Sequence, residues 1–295
     1  MKTKASSSAL FKACESGDAA KVTAALKAGA EGNARTVNGY IRDVTPLMLA
    51  ANAASADCVR LLLKAGADVA ARTTSESGGA GDQTALHFAL LAGKAEKPHL
   101  DVVKLLLEAG ANPDAASNNG TTPLVEAVRI GSKPLVNSFL AAGAKSHLQA
   151  GAKLSPLHAA AAKGRTEIVE LLLARGVPVG LRDAQGKTAL MDAVSCGQIT
   201  VMETLLEAKA DPHAASADDR TVFIWAALFA RDASDEDEAA IAVRLLERLV
   251  KLGVDVKAKD AEGSSAADYG AAAYEESVTK FFKQLGAKSG GKKKS

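Results

Sequence analysis

The chain has 295 residues, 47% hydrophobic and 24% charged, the balance of a soluble folded protein. Aromatic residues make up only 4%, so the core must be alanine and leucine packed at close range rather than large rings. The formal charge is +2 and Lys292, Lys293 and Lys294 sit together at the end, which leaves the body near neutral, without the basic stripe a dedicated nucleic-acid binder needs.

From the start of the chain, MKTKASSS is basic but lacks the apolar stretch of a signal peptide. No apolar run of about 18 residues follows, so no membrane span is expected. A cytoplasmic protein is expected on the visible sequence, with a periplasmic or secreted one the alternative if a leader has been removed. Three cysteines, Cys14, Cys58 and Cys196, fall at unrelated places. They read as free thiols in or near the core; a disulfide or metal site is the less favoured alternative.

One block then recurs. Thr45-Pro46-Leu47-Met48, Thr84-Ala85-Leu86-His87, Thr122-Pro123-Leu124, Ser155-Pro156-Leu157-His158 and Thr188-Ala189-Leu190-Met191 are versions of it. Aligned on its leucine, the chain gives Leu10, Leu47, Leu86, Leu124, Leu157, Leu190, Phe223 and Ala267, with steps of 37, 39, 38, 33, 33, 33 and 44. A Thr or Ser before Pro suits a helix start, since its oxygen caps an unpaired N–H and proline needs none. The first helix is alanine-rich and lets a neighbour approach closely. A second helix follows with Val/Ile and Leu on one stripe, as in Ile168, Val169 and Leu172. Gly66, Gly110 and Gly176 then suit a left-handed stop, and Asp183 to Gly186 a tight hairpin.

A period of 33 with a T-P-L-H-x-A block resembles the ankyrin repeat. The resemblance covers nearly the whole chain, roughly Ser8 to Ala287, in about eight copies with atypical ends. It implies an all-α solenoid of paired antiparallel helices joined by β-hairpin-like loops. The expected layout is a flexible segment over 1–6, repeats over 7–288 and a disordered basic tail over 289–295. By the same resemblance, His87 and His158 bond hairpin backbone, and the partner is another protein, met at hairpin tips and on the concave face of the first helices. The free chain is expected to be a monomer, with no cofactor, no metal, and no membrane or nucleic-acid partner.

Departures from the repeat mark where recognition is expected. The first hairpin is lengthened by four residues around Tyr40 and Arg42, and the second by six over Thr73 to Gln83, which includes Glu76. The second insertion reads as a tolerated loop or as a contacting finger. Asn118, Asn119, Gln185, Lys187, Asp218 and Arg220 fall near hairpin tips; Arg129, Ile130 and Lys163 fall at first-helix ends. Trp225 and Phe229 lie in the seventh first helix, either packed beneath the insertion that follows or exposed as anchors. That insertion, Arg231 to Glu238, reads as a solvated acidic loop leading into a long helix. Residues 95–99 form another insertion, and His99, His147 and His213 are expected in loops.

No zinc spacing, phosphate loop, nucleophile elbow or paired acids are visible, and no strand is expected to carry a nucleotide motif. Ser195-Cys196-Gly197 lacks an assignable histidine. A non-enzymatic binding protein follows, acting by occupancy as a stoichiometric inhibitor or self-protection protein. An adaptor or host-directed effector joining two partners is the alternative.

Overall fold

Each repeat carries one apolar face too large to leave in water, and stacking on its neighbours is what covers it. The computed structural model describes residues 2–38, 41–75, 81–91, 97–147 and 155–290. It divides into two units, 1–156 and 157–295. Tyr40 and Glu76 lie outside the described residues.

The first unit holds α1 (Lys2–Glu15), α2 (Ala19–Lys27), β1 (Thr36–Asn38), β2 (Ile41–Val44), α3 (Pro46–Asn52), α4 (Ala56–Lys64), β3 (Thr74–Ser75), α5 (Ala85–Leu90), α6 (Lys97–Glu108), α7 (Pro123–Ile130) and α8 (Lys133–Ala141). First helices pack in a row, α1 on α3 on α5 on α7; second helices form another, α2 on α4 on α6 on α8. The helices begin where the block predicts. Thr45 Oγ1 accepts the Met48 N–H and Thr122 Oγ1 the Val125 N–H. Leu47, Leu86 and Leu124, at the aligned position, are each 1% exposed.

The second unit holds α9 (Pro156–Ala162), α10 (Thr166–Ala174), α11 (Ala189–Ser195), α12 (Ile199–Glu207), α13 (Val222–Arg231), α14 (Glu236–Lys251), α15 (Ala266–Ala271) and α16 (Glu276–Gly290). First helices α11, α13 and α15 pack side by side. At the aligned position Leu157 and Leu190 are fully buried and Phe223 nearly so. Ala267, at the same position of the last copy, is exposed. There Phe282 is buried against α15, and its ring meets Phe223 edge-on at 6.4 Å between centres.

Two expectations are corrected. Strands do exist: β1, β2 and β3 form one antiparallel sheet, with Thr36 opposite Val44 and Ile41 opposite Ser75. The first two insertions therefore pair with each other instead of standing as separate loops. His99 is buried in α6, because Lys97 to His99 extend the second helix. At the ends of the described residues, α1 begins at Lys2 and α16 runs to Gly290.

The acidic insertion behaves as read from sequence. Asp235 caps α14 by accepting the Glu238 N–H, and Glu238 returns a carboxylate to Ser234. Glu236, Asp237 and Glu238 fill the first turn, where partial positive charge favours them.

Candidate functional site

Hairpin geometry decides which of the predicted contact residues are available. Within a hairpin, a short polar side chain folds back on its own turn. Asp183 Oδ1 accepts the N–H groups of Gln185 and Lys187, and Asp260 Oδ1 those of Glu262 and Ser264. Ser117 donates to Asn119 Oδ1, and Ser216 to Asp218 Oδ1. Successive hairpins are then joined by backbone bonds: Asn118 N–H to Gly81 O, Ala217 N–H to Gln185 O and Ala261 N–H to Asp218 O. Arginines span the same gaps, with Arg72 donating to Asp82 O and Ala116 O, and Arg182 to Gly186 O and Ala215 O.

Asn119 and Asp218 thus have their side chains committed to turns. Gln83 is buried, and its backbone pairs with Thr73 through Thr73 N–H to Gln83 O and Gln83 N–H to Thr73 Oγ1. Arg42, Asn118, Arg129, Lys163 and Gln185 are exposed and Ile130 is half-buried. Arg129 pairs with Glu126 at 3.1 Å on its own helix.

Both histidines of the recurring block bond hairpin backbone as expected. His87 Nδ1 accepts the Thr84 N–H, so its proton sits on Nε2, which faces Thr121 O at 3.2 Å. Burial pushes the His87 pKa down to about 4, so the ring is neutral. His158 Nε2 makes the corresponding contact to Lys187 O at 3.0 Å.

Four of the predicted residues come together in the second unit. Lys187 and Arg220 precede the Thr that starts α11 and α13, and both reach Trp225 on α13. The Lys187 ammonium is 4.2 Å from the indole centre, and the Arg220 guanidinium carbon 5.6 Å. Lys187 Nζ also lies 2.6 Å from Asp192 Oδ1, on a side chain only 8% exposed. Burial raises the Asp192 carboxyl above its ordinary range, and the Lys187 charge opposes this without cancelling it. Asp192 Oδ2 and Trp225 Nε1 are buried without a hydrogen-bond partner among the described residues.

Arg220 continues the network. It pairs with Asp218 at 3.0 Å, Asp260 at 3.5 Å and Glu262 at 3.7 Å. Tyr269 donates its hydroxyl to Asp260. Burial tends to raise the Asp260 carboxyl, but hydrogen bonds from Tyr269, Ser264 and Arg220 hold it below its usual range. Asp192, Trp225 and Tyr269 occupy one register, each two residues after the aligned Leu190, Phe223 and Ala267. Asp192, Asp260 and Tyr269 escaped sequence reasoning; reading that register down the copies would have found Asp192 and Tyr269.

Phe229 lies at the end of α13, half-buried. Its ring covers Gly197, where a Cβ would come within 2.6 Å of the ring. It packs on Gly197 of the preceding copy, and part of it remains accessible. Cys196 beside it is exposed, whereas Cys14 and Cys58 are buried free thiols. No group of three or more metal-ligating side chains is found among the described residues. No helix among them is long and apolar enough to cross a membrane.

A row of stacked helix pairs with backbone-linked hairpins is the architecture of a repeat-built binding module. Ankyrin repeat models match residues 42–74, 71–150 and 124–216. The chain belongs to the ankyrin repeat family. The ankyrin repeat, SAM and basic leucine zipper domain-containing protein 1 of Notamacropus eugenii is 34% identical over 125 residues, 42% of this chain and 24% of that protein. The chain thus matches about a quarter of that relative's length. The crystal structure of the human ASB11 ankyrin repeat domain superposes with a TM-score of 0.65 at 28% identity, covering 82% of this chain and 97% of that one. Ankyrin repeats are protein–protein interaction modules, generally without catalysis of their own.

Proposed function

We propose that this protein recognises one partner protein through the first-helix and hairpin face of its second unit and acts by occupying it, as a stoichiometric inhibitor. The observation that carries the reading is the convergence of Lys187, Asp192, Arg220, Trp225 and Tyr269 on consecutive copies, bordered by the exposed Lys163 and Gln185 and the accessible part of Phe229. A half-buried aromatic set among polar groups is the composition of an interface centre. Arg220 and Tyr269 are already held on Asp260, so ordering them on binding costs little entropy.

The test begins with capture of the partner from the native source and its purification. Phe229→Ala and Lys163→Glu are then measured separately against it. Loss of about tenfold in affinity or more is expected for each, with an unchanged circular dichroism spectrum. Unchanged affinity in both variants places recognition elsewhere. If the bound partner retains its full activity at one-to-one occupancy, the inhibitor reading fails.

A further inference from the structure

We infer that Asp192 and Trp225 form a receptor for an arginine side chain of the partner, which Lys187 fills in the free chain. The inference rests on the binding reading above and adds the chemistry of the group recognised.

Lys187 shows what the receptor takes. Its ammonium has a carboxylate oxygen at 2.6 Å and the face of the chain's single tryptophan at 4.2 Å. A cation leaving water needs both, an opposite charge and the negative face of an aromatic ring. The lysine therefore stands in for an incoming cation.

The free oxygen tells which cation fits better. Lys187 engages Asp192 Oδ1, while Oδ2 is buried with no hydrogen-bond partner among the described residues. An ammonium is a compact point charge; a guanidinium presents two parallel N–H groups that match both oxygens of a carboxylate. Its plane also stacks on an indole. Exchange of Lys187 for arginine keeps the buried charge paired and adds a bond to the orphaned oxygen. Lys187 sits in a hairpin at 17% side-chain exposure, so its flexible stem can return the ammonium to water.

The field points the same way. Asp183 and Asp192 lie beside Lys187, and Asp218, Asp260 and Glu262 surround Arg220. These five carboxylates outnumber Lys187 and Arg220, which favours a basic segment and disfavours an acidic one.

The probe is a blocked Gly-Arg-Gly tripeptide, compared with its lysine and citrulline counterparts. The readout is the single indole N–H resonance of Trp225 in a proton–nitrogen spectrum. The arginine peptide is expected to shift it at millimolar concentration, with lysine weaker and neutral citrulline inactive. Lys187→Met, which keeps the stem and removes the competing charge, is expected to bind the arginine peptide about tenfold tighter. Adding Asp192→Asn to that variant is expected to abolish the gain. No shift in the native protein at saturating peptide overturns the proposal, as does equal binding of citrulline or no gain in a folded Lys187→Met. If the arginine probe fails while Phe229→Ala still weakens the protein partner, the receptor is wrong and the binding reading stands. If Phe229→Ala and Lys163→Glu also leave the partner's affinity unchanged, the binding reading fails with it.

Discussion

Lys209 occupies a place that six other copies give to glycine, and replacing it should stabilise the second unit. Gly29, Gly66, Gly110, Gly143, Gly176 and Gly253 end second helices with φ between +77° and +87°; Lys209 ends α12 with φ +69°. A Cβ built on any of those glycines meets nothing within 4 Å. The penalty at this position is therefore carried by the backbone. An L-residue in the left-handed region costs about 1–2 kcal/mol. Glycine gives back about 0.5–1 kcal/mol through the greater freedom of its unfolded state. Lys209→Gly should gain about 0.5–1 kcal/mol, since the bonds from Lys209 N–H to Leu206 O and from Ala210 N–H to Leu205 O need no side chain.

Urea unfolding followed by Trp225 fluorescence reads this directly, because the only indole lies one copy further on, in the same unit. A graded series separates backbone from charge. Asparagine tolerates the left-handed region better than lysine, and valine worse. The expected order of stability is Gly, then Asn, then native, then Val. If Gly, Asn and Val shift the midpoint equally, loss of the lysine charge among Glu203, Glu207 and Asp211 is the cause and the backbone argument fails.

Two further outcomes follow from buried groups. His87 is neutral in the fold with its pKa at about 4, against an ordinary value of 6.5. Its contribution is complete above pH 6.5 and is lost as pH falls through 4, amounting to about 3 kcal/mol. Urea midpoints of the native protein and His87→Gln, compared between pH 7 and pH 4, should converge in acid; parallel curves contradict it. Gly270→Ala would place a Cβ 2.0 Å from the Phe282 ring, so overpacking should cost about 1–3 kcal/mol, and Phe282→Leu should recover part of it. Additive losses in the double variant would mean that ring and methyl do not meet.

The repeat was legible because its residues act locally or through one fixed offset. Thr-Pro starts, alanine faces and leucine stripes place helices without knowledge of anything distant. The end copy was equally legible, since Ala267 in place of leucine means one neighbour fewer. The sheet was not. Its second and third strands lie about 33 residues apart, are short, and carry no alternating apolar pattern to reveal the pairing of Arg42 with Thr74. His99 was misplaced for a related reason, because Lys97-Pro98 looked like an insertion when proline at a helix start extends the helix.

The cluster around Trp225 shows the limit most clearly. Lys187, Asp218, Arg220 and Trp225 were each visible as departures from the repeat. Their association depends on Asp192, which reads along α11 as an ordinary surface acid. Asp192 pairs with the lysine of its own hairpin, and stacking copies about 33 residues apart puts that lysine on the indole of the next copy. A helix surface position thereby becomes a buried one, and a common charge becomes a shifted carboxyl with an unused oxygen. In a repeat chain the functional unit is thus a register rather than a stretch. Residues that share an offset from the aligned leucine become neighbours, and chemistry scattered along the sequence is assembled by the period itself.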